Sequence, residues 1–528
     1  MLRNINWYSV QFKIVLVSIL LWFGSCDDFL TPDPDSFVAS DNFFNNPSQF
    51  ESAINGASNR LRAQAGVSNI QFAFFSEIRF DMITRQFDVN LPSIQGQPIE
   101  EWFVVTSNAW VASQWNQIYN TIAQTNLILG RIEDVEFNDE SQKNRIIGEA
   151  KFIRALSYWY AVQYWGGVPL VLKEARTVED TNPEDGRASE SEVFDQIVRD
   201  LQEAIPSLPV TASQPGRATR GAATFLLGKT FMLTEQYDQA IQMLEQAESD
   251  FNYRLLENYE DIWDPRNENN AESIYELQFS ATIAGQPDAN MIPKVIPINE
   301  EGELVPGEVE NNGNGWFFPS RDAMEMFEFE AGSERYKANI FWWVKEGNSE
   351  FPDVPVRGDS IPMIDKYFWP ELIDIEGEQE GNIILFRYAD VLLSLAEAYW
   401  RNDPSANESR IVSLLNRIRN RAGVEDVDLS NVPIPRELEG TSLASDALGR
   451  AIFIERSVEL FAEGHRMFDL NRFGLDIAVP VMENYATRRK EFESRVSGTL
   501  IIEPFKFTLP IPTEEINFSD LEQNPGWR

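Results

Sequence analysis

Residues 221–249, GAATFLLGKTFMLTEQYDQAIQMLEQAES, carry the spacing of a tetratricopeptide unit: Leu227-Gly228, Phe231, Tyr237, Ala240, Leu244 and Ala247 put small residues where two antiparallel helices approach. A helix pair of this kind cannot cover its own apolar face, so it must stack on others, and about four pairs are expected. The run RYADVLLSLAEAY from Arg387 to Tyr399 opens a second unit, with Ala396 and Tyr399 in the small and aromatic slots, although its second helix, about 408–421, departs from the pattern. Apolar residues at three- and four-residue steps mark further amphipathic helices. Phe50, Ile54, Ala57 and Leu61 form one stripe, and others occupy about 113–133, 143–165, 189–205, 220–233, 237–249, 386–401, 408–421 and 446–472. The expected fold class is mainly α, stacked tetratricopeptide-like helix pairs with a loop-rich, partly β region.

That region lies between the two units. Residues 260–385 are rich in Pro, Gly, Asn and acidic side chains, with strand-like pieces such as Ser273–Phe279. Long irregular stretches inside a compact domain are usually functional or disordered, and the aromatics here favour function. With 43% hydrophobic residues and 36 Phe, 14 Trp and 14 Tyr, the chain has the apolar area to fold. Its 44 Lys+Arg against 83 Asp+Glu give a net charge of −39, which repels nucleic-acid phosphates and anionic lipid.

At the N-terminus, Arg3 and Lys13 precede the apolar run Ile14–Phe23, closed by Gly24-Ser25 before Cys26. This is the pattern of a secretory signal, too short at about ten apolar residues to serve as a spanning helix of about 20. Gly-Ser-Cys at this place resembles a bacterial lipoprotein cleavage box, which implies lipidation of Cys26, and Asp27-Asp28 resemble a surface-export mark. One Cys and one His exclude an intramolecular disulfide and a mixed structural zinc site. The expected organisation is a signal peptide at 1–25, a lipidated tether at 26–40, an N-terminal helical region at 41–260 and a C-terminal region at 261–528 that includes a variable insertion at 261–385.

Six ordered segments carry a family resemblance: CDDFLTPDP at 26–34, GEAKFIRALSYWYAVQYWGGVPLV at 148–171, RYADVLLSLAEAYW at 387–400, LLNRIRNRAG at 414–423, ERSVELFAEGHRMFDLNRFG at 455–474 and KFTLPIPTEEINFSDLEQNPGW at 506–527. Together they resemble the SusD/RagB family. The resemblance implies four tetratricopeptide units, a variable loop-rich side, and a surface lid that passes ligand to a TonB-dependent SusC-like outer-membrane transporter. It implies no cofactor and no catalysis. Its motifs read as structural: Gly166-Gly167-Val-Pro169 as a helix C-cap and stop, and Glu463, Arg466 and Asp469 as charged partners at three-residue steps on one helix. His465 reads as structural as well, having no evident catalytic partner.

No nucleophile elbow, zinc-protease helix, phosphate loop or dinucleotide fingerprint is present, so no catalytic residue is named. Sugar binding needs flat rings against pyranose C–H faces, with polar side chains to fix the hydroxyls. Two regions supply both. The first holds Arg79, Asp81, Arg85, Trp102, Asn108 and Trp110; the second holds Trp316 and Phe317 on an Asn/Gly-rich loop, followed by Phe341–Trp343 and Tyr367–Trp369. Trp102, Trp110 and Trp316 stand among turn-forming residues and are expected on surface loops, while of Trp342 and Trp343 on a strand only one can face a site. Asp264–Asn270 clusters oxygen ligands that suit calcium but lacks an EF-hand pattern. The expected function is non-catalytic binding of oligosaccharide or polysaccharide at the outer surface and its delivery to the transporter. Peptide or glycopeptide uptake, or a tetratricopeptide scaffold without a small ligand, are the alternatives.

Overall fold

The computed structural model describes residues 43–65, 72, 74–85, 96–174, 186–279, 317–344, 355–358, 360–367, 369, 381–492, 500–519 and 521–527. The expected signal, Cys26 and the expected tether lie outside them.

Four helical hairpins form the frame. They are α1 (Pro47–Ala65) with α2 (Ala109–Arg131), α3 (Glu140–Trp165) with α4 (Glu190–Ser207), α5 (Arg220–Leu233) with α6 (Tyr237–Ser249), and α7 (Tyr388–Asn402) with α8 (Pro404–Arg421). Each hairpin packs on the next, α2 on α3, α4 on α5 and α6 on α7, so the expected stack of four is the observed one. The α5–α6 pair shows why small residues recur. A Cβ added to Gly228 would sit 2.9 Å from Leu244 Cδ2, so the helices close only because no side chain intervenes.

Local chemistry sets the boundaries. Ser189 and Glu192 form a reciprocal capping box at α4, Thr219 caps α5, and Asp403 caps α8 ahead of Pro404. Gly166 ends α3 at φ +71°, the expected C-cap. The stripe read over 143–165 is more than amphipathic: every side chain from Phe152 to Trp165 is buried, making α3 the central helix of the molecule.

The stripe at 446–472 divides. Helix α9 (Ala447–Glu459) ends in a reversal where Ala462 (φ +61°) and Gly464 (φ +84°) adopt left-handed backbone, and α10 (Arg466–Phe473) and α11 (Leu475–Phe492) follow. Among the described residues the strands form three two-stranded antiparallel sheets: β1 (Ile83–Arg85) with β3 (Phe317–Pro319), β2 (Ser273–Leu277) with β6 (Ile383–Arg387), and β4 (Ile340–Val344) with β5 (Ser360–Ile364). One apolar core runs from Phe44 to Leu521, and Phe318, Ile361 and Met363 form a small separate one beneath β3 and β5.

Candidate functional site

The charged motif after α9 is inward-facing. Arg387, at the end of β6, donates to Glu459 Oε1 (2.6 Å), Glu272 Oε1 (2.9 Å) and Glu463 Oε2 (2.7 Å). Arg335, just before β4, donates to Glu455 (2.7 Å) and Glu459 (2.8 Å), and Lys366 reaches Glu463 (2.7 Å). Burial pushes Glu459 up, but Arg421, Arg387 and Arg335 outweigh it and hold the carboxyl well below the usual range. These bonds fasten the insertion strands to α8, α9 and the reversal. The sequence reading of Glu463, Arg466 and Asp469 as exposed partners on one helix is therefore corrected. All three side chains are buried, Glu463 lies in the reversal, and their partners are Lys366 and Arg387 for Glu463, Asp81 for Arg466, and Arg456 together with Arg472, three positions on, for Asp469.

That lattice accounts for several expected ligand residues. Asp81 accepts from Arg466 Nε at 2.8 Å and is fully buried. Arg79 donates to the Lys506 carbonyl at 2.6 Å and lies over the Trp102 ring, 4.6 Å from its centroid. Trp102 itself is 1% exposed, its indole N–H bonded to the Arg79 carbonyl at 2.6 Å and its ring edge-on to Phe507 at 4.9 Å. The expectation of a surface loop is corrected here. Turn residues do surround Trp102, and its φ is +59°, but the turn folds the ring inward. Asn108 is buried as the N-cap of α2, accepting from Trp110 N (2.9 Å) and Val111 N (3.2 Å), and Phe317 is 6% exposed.

Other titratable groups are equally committed. Burial lowers His465 to about 4, so it is neutral at pH 7. Glu77, which accepts from the Gly464 and His465 backbone N–H groups at 2.6 and 2.9 Å, is pushed by burial up to about 8. Asp81, Asp322 and Glu437 bring three carboxylates within 4.8 Å of one another, but Arg466 and Arg488 already pair with them. In the Asp264–Asn270 loop the oxygens serve the loop: Asp264 binds Arg266 at 2.8 Å, and Asn270 Oδ1 accepts from Glu272 N at 3.0 Å.

Other expected residues remain closer to the surface, and the corner where β1 pairs with β3 links two of their sequence regions. Arg85 and Phe317 are register partners of β1 and β3, so the chain leaves toward the early loop at the point where it returns from the middle insertion. The two sequence regions expected to supply aromatics thus share one origin in the fold. Trp316 lies outside the described residues, one position before Phe317; the side chains of Arg85 and Trp343 lie outside them too. The β4–β5 hairpin packs on β3. Along β4, Phe341 joins the small core while Trp342 faces the other way, partly buried, its indole N–H donating to Tyr336 Oη at 3.0 Å. The Arg357 guanidinium lies 4.2 Å from the Trp342 ring centroid and pairs with Glu328. Trp110 is half-buried at the first turn of α2, close in sequence to Phe103 and Val105, which are 50% and 53% exposed. Tyr367 turns inward to Trp263 (5.3 Å), whereas Arg266 covers Trp369 at 5.1 Å.

Sequence reasoning missed Arg357, Tyr336, Phe103 and Val105. Arg357 has no local signal, since only the β4–β5 pairing brings it to Trp342. Phe103 and Val105 carried one, an alternation of apolar residues in a turn-rich stretch without helical period.

Two family models match the chain: one described as SusD family, over residues 358–527, and one described as starch-binding associating with outer membrane, over residues 28–233. SusD-like protein P25 of Formosa agariphila is 27% identical, the alignment covering 96% of this chain and 97% of that protein. The starch-binding protein SusD of Bacteroides thetaiotaomicron is 22% identical over 77% of each chain. A solved laminarin-binding SusD-like protein superposes with a TM-score of 0.72 at 24% identity, covering 91% of this chain and all (100%) of that one. Among the described residues no helix is long and apolar enough to cross a membrane. With models matching both ends, a relative aligned along nearly all of the sequence and the same frame in solved structures, the chain belongs to the SusD/RagB family of non-catalytic, outer-membrane-associated binding proteins.

Proposed function

We propose that the chain binds neutral oligosaccharide or polysaccharide at the β1–β3/β4–β5 corner and delivers it to a TonB-dependent SusC-like transporter, held at the outer membrane by acylated Cys26. The carrying observation is the Arg85–Phe317 register, which gives the early loop and the middle insertion a common origin at β3, the strand on which the β4–β5 hairpin that carries Trp342 packs. Trp342 supplies a flat ring, and Tyr336, Arg357 and Glu328 surround it with hydrogen-bonding groups. Arg357 occupies the face a sugar would take. An exposed cation–π contact is worth about 0.5–1 kcal/mol, so a pyranose displaces it at little cost. The relatives named for starch and laminarin support a glucan ligand. Trp316 and Trp110 complete the ring set in this reading, while Arg79, Asp81, Trp102, Asn108 and Phe317 hold the corner in shape from beneath.

Affinity electrophoresis through laminarin and starch tests this with the chain that follows Cys26. Retardation is expected in at least one gel. Replacing Trp342, Trp316 or Trp110 by Ala weakens binding by about 1–3 kcal/mol where that ring stacks, roughly 5- to 150-fold. Unretarded migration in both gels, with capture instead by immobilised oligopeptides, would turn the reading toward peptide uptake. The anchor is tested separately: Cys26→Ala is expected to leave the protein in the soluble fraction after lysis, and persistent membrane recovery would exclude acylation as the tether.

A further inference from the structure

Away from that corner, the α4–α5 connection crosses β2 and leaves a depression on each side. One measures 330 Å³ and the other 210 Å³, and they share Gln214–Arg217 and Tyr275–Glu276 as a common saddle. Gly216, at φ +75°, lets the connection press onto the strand, since a Cβ there would meet Gln278 Cγ at 2.5 Å. The two hollows are thus fixed by backbone contact.

Their lining is chemically unlike the rest of this acidic chain. Amides dominate: Asn55 and Asn59, one turn apart on α1, with Gln214, Asn252, Asn269 and Gln278. Asn269 and Gln278 hydrogen-bond each other, whereas the amides of Asn55, Asn59 and Asn252 have no partner among the described residues. The single lining carboxylate, Glu276, is buried and accepts from Asn269 N (2.9 Å) and Asn382 Nδ2 (3.0 Å). Of the two lining arginines, Arg217 is committed to Glu149 at 2.7 Å and Arg62 donates to the Gln278 carbonyl at 2.9 Å. In a protein of net charge −39, the saddle offers uncharged donors and acceptors.

It also offers ring faces. Phe251 and Tyr253 line the larger hollow side by side, their centroids 5.9 Å apart. Tyr253 is locked, with its hydroxyl 3.2 Å from Thr219 Oγ1 and its ring against Gly221, where a Cβ would lie 2.4 Å from that hydroxyl. Aromatic rings beside free amides, with no uncommitted carboxylate, fit an uncharged polyol of several rings better than an ion or an apolar ligand.

We infer that this saddle is a second saccharide site, which takes a neutral oligosaccharide across Phe251 and Tyr253 with its hydroxyls on Asn55, Asn59 and Asn252. The inference rests on the glycan-binding reading above and extends it to a separate face. A second contact point lets a polymer engage twice, which raises retention without any new contact at the first site.

Hydroxyl-radical footprinting with maltohexaose and with laminarihexaose tests both sites in one experiment. Oxidation of Phe251 and Tyr253 is expected to fall roughly threefold or more on saturation, in the wild type and in Trp342→Ala alike. The fall is expected to vanish in Asn55→Ala/Asn59→Ala/Asn252→Ala, whose surface replacements leave the core untouched. Protection at Trp342 without protection at Phe251 and Tyr253 overturns the second site alone. Protection of Phe251 and Tyr253 without Trp342 keeps it and removes the first; protection at neither overturns both.

Discussion

Trp102 and Trp342 show how much one residue's role depends on which way its backbone turns. Both stand in irregular sequence, yet Trp102 is 1% exposed and hydrogen-bonded to a carbonyl, while Trp342 is only partly buried beside Arg357. Replacing Trp102 by Ala removes a fully packed ring and is expected to cost about 3–5 kcal/mol, read as a shifted denaturant midpoint. The same change at Trp342 should move glycan affinity more than stability; the reverse order would reassign both. Asn108 accepts from two α2 backbone N–H groups, so Asn108→Ala is expected to cost about 1 kcal/mol in the same unfolding assay. The cap was visible as an Asn before a periodic run, but a polar residue near tryptophans reads equally well as a ligand contact. Only its geometry separated the two.

At the scale of elements, the helical hairpins were legible because each obeys a local rule. Small residues at Gly228 and Ala240, the Ser189–Glu192 box and Gly166 all act within a few turns of themselves. Two glycines give opposite expectations. Gly56→Ala on α1 meets nothing within 4 Å and is expected to stabilise by about 0.4–1 kcal/mol, since it only restricts the unfolded chain. Gly228→Val drives a branched side chain into Leu244 and is expected to destabilise by about 1–3 kcal/mol. Thermal melts of both variants check the pair, and a neutral Gly228→Val would refute the close approach of α5 and α6. The stripe at 446–472 reads as one helix because apolar spacing continues through the reversal, and periodicity does not register the left-handed turn at Ala462 and Gly464.

For the whole molecule, stability is tied to a buried ionic lattice. Burial acts to raise Asp390, Glu459 and Asp469, and the surrounding cations hold all three below the ordinary carboxylate range. A carboxyl with a depressed folded pKa contributes stability that is present above its unfolded pKa and lost as the pH falls through the folded one. His465, lowered by burial to about 4 from 6.5, acts in the same direction between those values, since the unfolded state takes up the proton first. Glu77, raised by burial to about 8, opposes it there because the folded state takes up that proton first, so the melting temperature is expected to fall steeply only below about pH 4, where the lattice carboxyls lose their advantage. A melting temperature that rose as the pH fell below about 4 would contradict the lattice. Glu459→Gln strands Arg387, Arg335 and Arg421 around a neutral group and is expected to cost about 3–5 kcal/mol near neutral pH.

The sequence by itself determined the repeating helix pairs, the family and the regions from which the proposed ligand face is drawn. The helix pairs follow from spacings of three, four and about thirty residues that any stretch of chain expresses without its distant neighbours, and the family from the resemblance carried by the six ordered segments. Tertiary structure decided which side chains in those regions face out. Asp81 is paired with Arg466 across the chain, and Arg85 becomes the neighbour of Phe317 through strand pairing alone. Whether a ring serves a ligand or a core depends on what packs behind it, and that is fixed by contacts hundreds of positions apart, such as the Arg79–Lys506 bond.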